Sequence, residues 1–347
     1  MLSIDTIGTL GLTVHDLIGQ RVAVLGISGS GKTNTGAVLV EELLPHLPIT
    51  IVDVEGEWYG LKERFDLLVA GRSEQAEVPL MAENAAALAE ISIKRGISLI
   101  LDLSEYDQDE MQEILLLYFG ALWKQATALK TPYMVVIEEA HEFIPQGVRS
   151  PLKTLLTRFA LRGRKRGVGV VLSSQRSAKV EKDLLTQAGI LFLHNVVHPT
   201  DLGVYKDLIP MAGKDVEQQA RELVPGEAFV VRGRLVDRVH IRHRYTFHAG
   251  ATPELGAAQP LLKAIDGALL EELRSLSARS LREGGSDELA RINRRMREAE
   301  ATIAEKDVII AERDVQIARL TERVELLSKL TVQGPANLEI EQARVNH

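Results

Sequence analysis

Residues 26–33 read Gly26-Ile27-Ser28-Gly29-Ser30-Gly31-Lys32-Thr33, a full match to the pattern G-x-x-x-x-G-K-[ST]. Each residue type there has a mechanical job. The glycines let backbone N–H groups curl around an anionic phosphate without a Cβ in the way. Lys32 reaches the β- and γ-phosphates, and the Thr33 hydroxyl can bind Mg²⁺. A helix starting near Thr33 adds its positive end to the same pocket. The apolar run 21–25 just before the loop suits a buried strand, and 35–44 has helical composition and spacing. The candidate nucleotide-binding set is Gly26, Ser28, Gly29, Ser30, Gly31, Lys32, Thr33 and Asn34.

Working outward, short apolar runs at 21–25, 49–53, 97–102, 133–138, 167–173 and 190–194 alternate with helical patterns near 33–44, 84–94, 106–129 and 150–166. Such alternation predicts right-handed βαβ units and a mostly parallel sheet with helices on both faces. Segments 228–231 and 236–245 are closely spaced and partly alternating, which suits an antiparallel hairpin at the sheet edge. After His248 the texture changes. A helix is expected over 254–282, and Gly284-Gly285-Ser286 breaks it. From Leu289 to Leu327, positions stepping by three and four are apolar except Lys306 and Arg313, a heptad seam that predicts a coiled coil. The expected division is an ATPase-like domain over 1–248, a helical linker over 249–285, a coiled coil over 286–330 and a loose tail over 331–347.

Bulk composition bounds the function without naming it. The 347 residues carry a net charge of −7, so any nucleic-acid contact must come from local basic patches. With no cysteine, disulfides, Cys-type zinc sites and thiol catalysis are excluded. No basic flank with an apolar core opens the chain, and no apolar run is long enough for a bilayer, so a cytoplasmic location is expected.

The second chemical signal is Val135-Val-Ile-Glu138-Glu139-Ala-His141. An apolar strand ending in acids is how phosphate-loop ATPases arrange Mg²⁺ and the attacking water. Glu138 would hold the metal's water shell, with Thr33, and Glu139 would polarise the water. His141 could sense the nucleotide or pack against the following turn. A third signal, the strand 167–173 running into Ser174-Gln175-Arg176, brings an amide able to donate and accept at once towards the γ-phosphate. Before it lies Arg162-Gly-Arg164-Lys165-Arg166, open to three readings: a solvated helix end, a DNA-phosphate contact or an arginine finger acting on a neighbouring subunit.

Together these segments resemble the HerA-type ATPases of the HerA/FtsK translocase group. The resemblance rests on residues 26–34, Asp53-Val-Glu-Gly56-Glu57, Glu138-Glu-Ala-His141, Gly163-Arg-Lys165 with Gly167, and Ser174-Gln175-Arg176, with weaker agreement at His194-Asn195 and Pro225-Gly-Glu227. It implies a RecA-like P-loop fold and ATP hydrolysis by a hexameric ring that pumps double-stranded DNA. It also implies a catalytic role for Glu139, a sensor role for Gln175 and an arginine-finger role for Arg164, with Asp53 and Glu57 lining the nucleotide site. Family members commonly carry a β-barrel ahead of the P-loop, whereas about twenty residues precede the first strand here. Glu138 stands where the usual pattern has aspartate. A local basic cluster, Arg232, Arg234, Arg238, Arg242 and Arg244 with His240, His243 and His248, could meet DNA phosphates or keep an edge strand soluble. The rival to a motor is a nucleotide-gated assembly protein that recruits an effector, such as a nuclease, through its coiled coil.

Overall fold

A computed structural model of the chain describes residues 2–4, 10–210, 213–250, 261–264, 266–268, 270–275, 313 and 320. The chain divides into two compact units, Met1–Gly285 and Ser286–His347. The predicted tail, and most of the predicted heptad segment and of the predicted 254–282 helix, lie outside the described residues.

Ten strands form one sheet: β1 (Arg21–Leu25), β2 (Ile49–Asp53), β3 (Leu68–Gly71), β4 (Val78–Pro79), β5 (Leu99–Asp102), β6 (Tyr133–Ile137), β7 (Val168–Ser174), β8 (Ile190–Leu193), β9 (Glu227–Arg232) and β10 (Leu235–His240). Their order is β10-β9-β8-β1-β7-β6-β2-β5-β3-β4. Eight strands run parallel, while β9 is antiparallel to both β8 and β10. The mostly parallel sheet and its edge hairpin are therefore as the sequence predicts. Strands β3 and β4 were not predicted; β4 has two residues, one of them proline, too few to show an apolar or alternating pattern.

The helices are α1 (Val14–Leu17), α2 (Lys32–Leu43), α3 (Ala82–Arg95), α4 (Gln108–Leu129), α5 (Ala140–Phe143), α6 (Pro151–Arg162), α7 (Lys182–Thr186), α8 (Pro199–Leu208) and α9 (Gly213–Glu222). Alternate residues of each strand face opposite layers. On β1, Val22 and Val24 pack with Val38 and Leu39 of α2, whereas Ala23 and Leu25 pack with Leu202 and Tyr205 of α8. On β7, Val168, Val170 and Leu172 join Tyr118, Phe119 and Phe159 of α4 and α6. Both faces are thus covered, and the central strands can be apolar throughout. Within this core, Thr50 bonds the Tyr118 and Tyr133 hydroxyls at 2.6 and 2.7 Å, so the buried polar groups are satisfied.

Local signals set the element ends. Asp107 and Glu110 form a reciprocal capping box at the start of α4, and Ser150 caps α6 ahead of Pro151. The helix predicted over 150–166 stops at Arg162, and Arg164–Arg166 form a separate 3₁₀ turn. Glycines enforce the break. A Cβ on Gly163 would lie 2.5 Å from the Phe159 carbonyl, and Gly167 has φ +78° with the Thr131 carbonyl 2.7 Å from where its Cβ would stand. Of the predicted linker helix, 267–268 and 270–275 are helical among the described residues. Leu273 is buried in the core there, and Glu272 pairs with Arg95 of α3. No helix among the described residues is long and apolar enough to cross a membrane.

Candidate functional site

The P-loop, the acids after β2 and β6 and the Ser174-Gln175 turn meet at the carboxyl edge of the sheet, where ligands bind in open α/β folds. β1 enters the loop 26–31 and α2 leaves it. Gly26, Gly29 and Gly31 take φ values of +154°, +76° and +104°, so the loop curls as the glycine spacing implies. Ser28 and Gly29 are exposed at its crown, and Ser30 is buried, donating to the Ile27 carbonyl at 2.7 Å. Lys32 is buried and also donates to that carbonyl, at 2.9 Å. Burial pushes its ammonium pKa down, partly offset by the nearby Glu139 and Glu138. An anionic ligand in the loop would restore the charge balance. The Thr33 hydroxyl makes no hydrogen bond among the described residues, leaving it free for a ligand.

Two supports hold the loop from beneath. Ile27 N donates to the Asn195 carbonyl at 3.0 Å, and Gly226 N donates to the Ser30 carbonyl at 3.1 Å. His194 is fully buried directly under Gly26 and bonds the Thr35 hydroxyl at 2.9 Å through Nε2. Burial drives its pKa down to about 4, so the ring is neutral at pH 7. His194-Asn195 and Pro225-Gly226-Glu227, weak signals in the sequence, are thus the structural cradle of the P-loop.

Asn34, at the start of α2, also ties the loop to a distant segment. Its side chain donates to the Arg242 carbonyl at 2.8 Å and accepts from Arg244 N at 2.9 Å, so it holds the segment after β10. Glu41, buried on α2 and not singled out in the sequence, adds Tyr245 N, Thr246 N, the Thr246 hydroxyl and Arg242. Arg242 bridges Glu41 and Glu42 at 2.8 and 3.0 Å. Arg232 pairs with Asp237 and Arg238 with Glu227. The proposed basic cluster is therefore largely neutralised internally: it straps the hairpin onto α2 rather than forming a cationic face.

Glu138 and Glu139 follow β6, one strand removed from β1, with the end of β7 between them. The predicted strand ends at Ile137 because Glu139 is left-handed, with φ +42°. Glu138 is buried, and its Oε2 has no hydrogen-bond partner among the described residues. Burial, with Asp53 and Glu57 nearby, pushes its carboxyl well up. Asp53, buried beside it, accepts backbone N–H bonds from Gly56, Glu57 and Trp58 at 2.8 to 3.2 Å. Burial still raises Asp53 to about 6. An orphaned carboxylate oxygen, a second carboxylate and a free threonine hydroxyl are a hard-oxygen donor set that fits Mg²⁺, with phosphate and water completing the shell.

Glu139 differs. Burial pushes its carboxyl up, but His141, the Gln175 N–H and Lys32 outweigh that and hold it below the usual range. Its Oε2 is 3.1 Å from His141 Nδ1 and 3.3 Å from Gln175 N. It is an ionised base at neutral pH. The Gln175 side chain makes no hydrogen bond among the described residues and stands at the end of β7 beside the loop.

Arg164 is elsewhere. The pairing Arg21↔Val170 and Leu25↔Ser174 puts the turn before β7 at the amino edge of the sheet, opposite the P-loop. Arg21, Arg162, Arg164, Lys165 and Arg166 line a cavity of about 420 Å³ there. Arg162, Arg164 and Lys165 have no acidic partner among the described residues.

The family described as "Helicase HerA, central domain" matches residues 5–131. Over those residues, which hold the P-loop, the chain is similar to that central domain. A DNA double-strand break repair helicase HerA from Pyrococcus furiosus is 32% identical over 130 residues, covering 38% of this chain and 23% of that protein. The helicase of the same name from Saccharolobus solfataricus is 29% identical over 152 residues, covering 42% and 30%. The chain thus spans less than a third of the length of these two relatives. Among solved structures, VirB4 of Thermoanaerobacter pseudethanolicus superposes with a TM-score of 0.47 at 13% identity, covering 64% of this chain and 88% of that one. The genome packaging NTPase B204 of Sulfolobus turreted icosahedral virus 2 gives 0.45 at 15%, covering 63% and 96%. The HerA-type match takes in the P-loop, Asp53 and Glu57. Glu138, Glu139, Arg164 and Gln175 lie beyond it.

Proposed function

We propose that the chain is an ATP-hydrolysing motor that works on double-stranded DNA as a ring of identical subunits. The carrying observation is the placement of opposite charges at opposite ends of β7. Val168–Ser174 spans six residue steps, or about 20 Å. Arg164 therefore cannot reach the phosphate loop of its own chain, but it can face the loop of a neighbour. In such a ring, Lys32 and the loop N–H groups hold the phosphates. Thr33 and Glu138 hold Mg²⁺, which would neutralise charge on the β- and γ-phosphates. Glu139 accepts the proton as a water oxygen bonds to the γ-phosphorus and the bridging P–O bond breaks, releasing ADP. Gln175 contacts the γ-phosphate or water, and the neighbour's Arg164 stabilises the charge that develops. The names of the two HerA relatives, repair helicases acting on DNA, support DNA as the partner.

ATP turnover with and without duplex DNA, alongside the mass of the assembly with ATP present, tests the proposal. A DNA-stimulated rate from a hexamer is expected. A monomer with a DNA-independent rate overturns it. The internal pairing of the arginines near β10 favours one rival, a nucleotide-gated scaffold that recruits an effector such as a nuclease. Removing residues 286–347 separates the two. The motor reading expects DNA-stimulated turnover to survive in any ring that still forms. The scaffold reading expects only partner capture to be lost.

A further inference from the structure

We infer that His141 positions Glu139 for hydrolysis, and that Ser174 ties this arrangement to the exposed turn at Gln175-Arg176. The inference rests on the ATPase reading above. Glu139 needs an orienter because its backbone is left-handed, at φ +42°, and an acid side chain leaving such a position has no helix or strand to fix its rotamer. Both of its hydrogen-bond contacts fall on one oxygen: Oε2 lies 3.1 Å from His141 Nδ1 and 3.3 Å from Gln175 N. Oε1 has no partner among the described residues. A carboxylate pinned through one oxygen presents the other, which is the arrangement a general base requires.

The pin continues outward. His141 Nδ1 is also 3.2 Å from the Ser174 hydroxyl, and that hydroxyl accepts Arg176 N at 3.1 Å. Ser174 is fully buried, whereas Arg176 is exposed. Both contacts share Nδ1, so a proton on that nitrogen faces Glu139 Oε2 and the Ser174 oxygen together, and Ser174 in turn holds the Arg176 backbone at the surface. Facing Glu139 from the other elements are Lys32 on α2 and the Gln175 N–H at the end of β7. Lys32 Nζ makes no hydrogen bond to Glu139 among the described residues, and the Gln175 N–H is the longer contact, so the ring is the nearer of the groups that fix this carboxylate. A ring that only filled space would not need a nitrogen at this carboxylate. Base-orienting groups of this kind typically change rate by about 10- to 100-fold when removed.

The test uses the full chain and steady-state kinetics, with a fluorescent ATP analogue reporting affinity. His141→Ala is expected to lower kcat about 10- to 100-fold while KM and analogue affinity stay within about 2-fold. His141→Gln keeps an N–H donor and is expected to recover several-fold of that loss. Ser174→Ala is expected to lower kcat about 3-fold and to reduce stimulation by duplex DNA. An unchanged kcat in His141→Ala overturns the inference. So does a parallel loss of kcat and affinity, or a His141→Gln variant no better than alanine at equal thermal stability. Glu139→Gln separates this from failure of the ATPase reading: if that variant keeps full turnover, the reading itself has failed.

Discussion

The two ends of β7 make opposite kinds of surface from one strand. At the carboxyl end lie Ser174 and Gln175, two acids of unlike basicity, and a glycine loop whose N–H groups and lysine lack an anion. At the amino end, Arg21 and the 162–166 turn gather cations with no acid in the cavity they line. About 20 Å of strand separates the two ends. A role for Arg164 at a phosphate loop therefore requires a second copy of the chain.

The largest effect should come from Lys32. Lys32→Ala removes the buried cation that faces the phosphates, and nucleotide affinity is expected to fall at least about 100-fold, read by titration with a fluorescent ATP analogue. Glu139→Gln keeps the shape and removes the base. Turnover is expected to fall about 100- to 10,000-fold while analogue affinity holds, so the two variants split binding from chemistry at one edge.

Arg164 probes the other edge. Arg164→Ala should lower turnover about 1,000-fold without altering nucleotide affinity, because the residue lies far from its own loop. Mixing is the sharper measurement. Arg164→Ala subunits keep an intact loop and Lys32→Ala subunits keep an intact finger, so mixed assemblies should recover turnover that neither has alone. A mixture that stays inactive, although subunits exchange, breaks the comparison between the two ends.

Most of the carboxyl edge was legible because its chemistry is local. Residues 26–33 and Glu138-Glu139 are contiguous, and each sits just past an apolar run whose end is readable. What escaped depends on distant pairing. The bonds from Asn34 and Glu41 to the segment after β10 cross more than 200 residues, so the acids that neutralise Arg242 could not be read beside a cluster left open between DNA contact and edge-strand solubility. The basic turn showed the converse limit. Its charges were plain, but only the register Arg21↔Val170 reveals which end of the sheet they occupy. Strands β3 and β4 escaped through brevity, and Pro79 in the sequence argues against a strand there.

The smallest effect concerns stability, and it again sets the two edges apart. Arginines of the amino edge keep their charge across the accessible pH range, so pH dependence should come from buried groups at the carboxyl edge. His194 has a folded pKa of about 4, below its unfolded value near 6.5. The unfolded state therefore binds the extra proton between those values, and stability falls by about 3 kcal/mol as pH drops through the window. Asp53 acts in the opposite sense. Raised to about 6, it keeps its proton in the folded state when the unfolded chain has released it, so stability is regained as pH falls from 6 towards 4. Glu138, also raised, has the same sign as Asp53. In the wild-type protein without metal or nucleotide these contributions oppose one another. Relative to wild type, Asp53→Asn should lose stability on acidification from pH 6 to 4 and His194→Gln should gain it, both read by urea melts. Parallel profiles in all three proteins would mean that neither group carries the shift its burial implies.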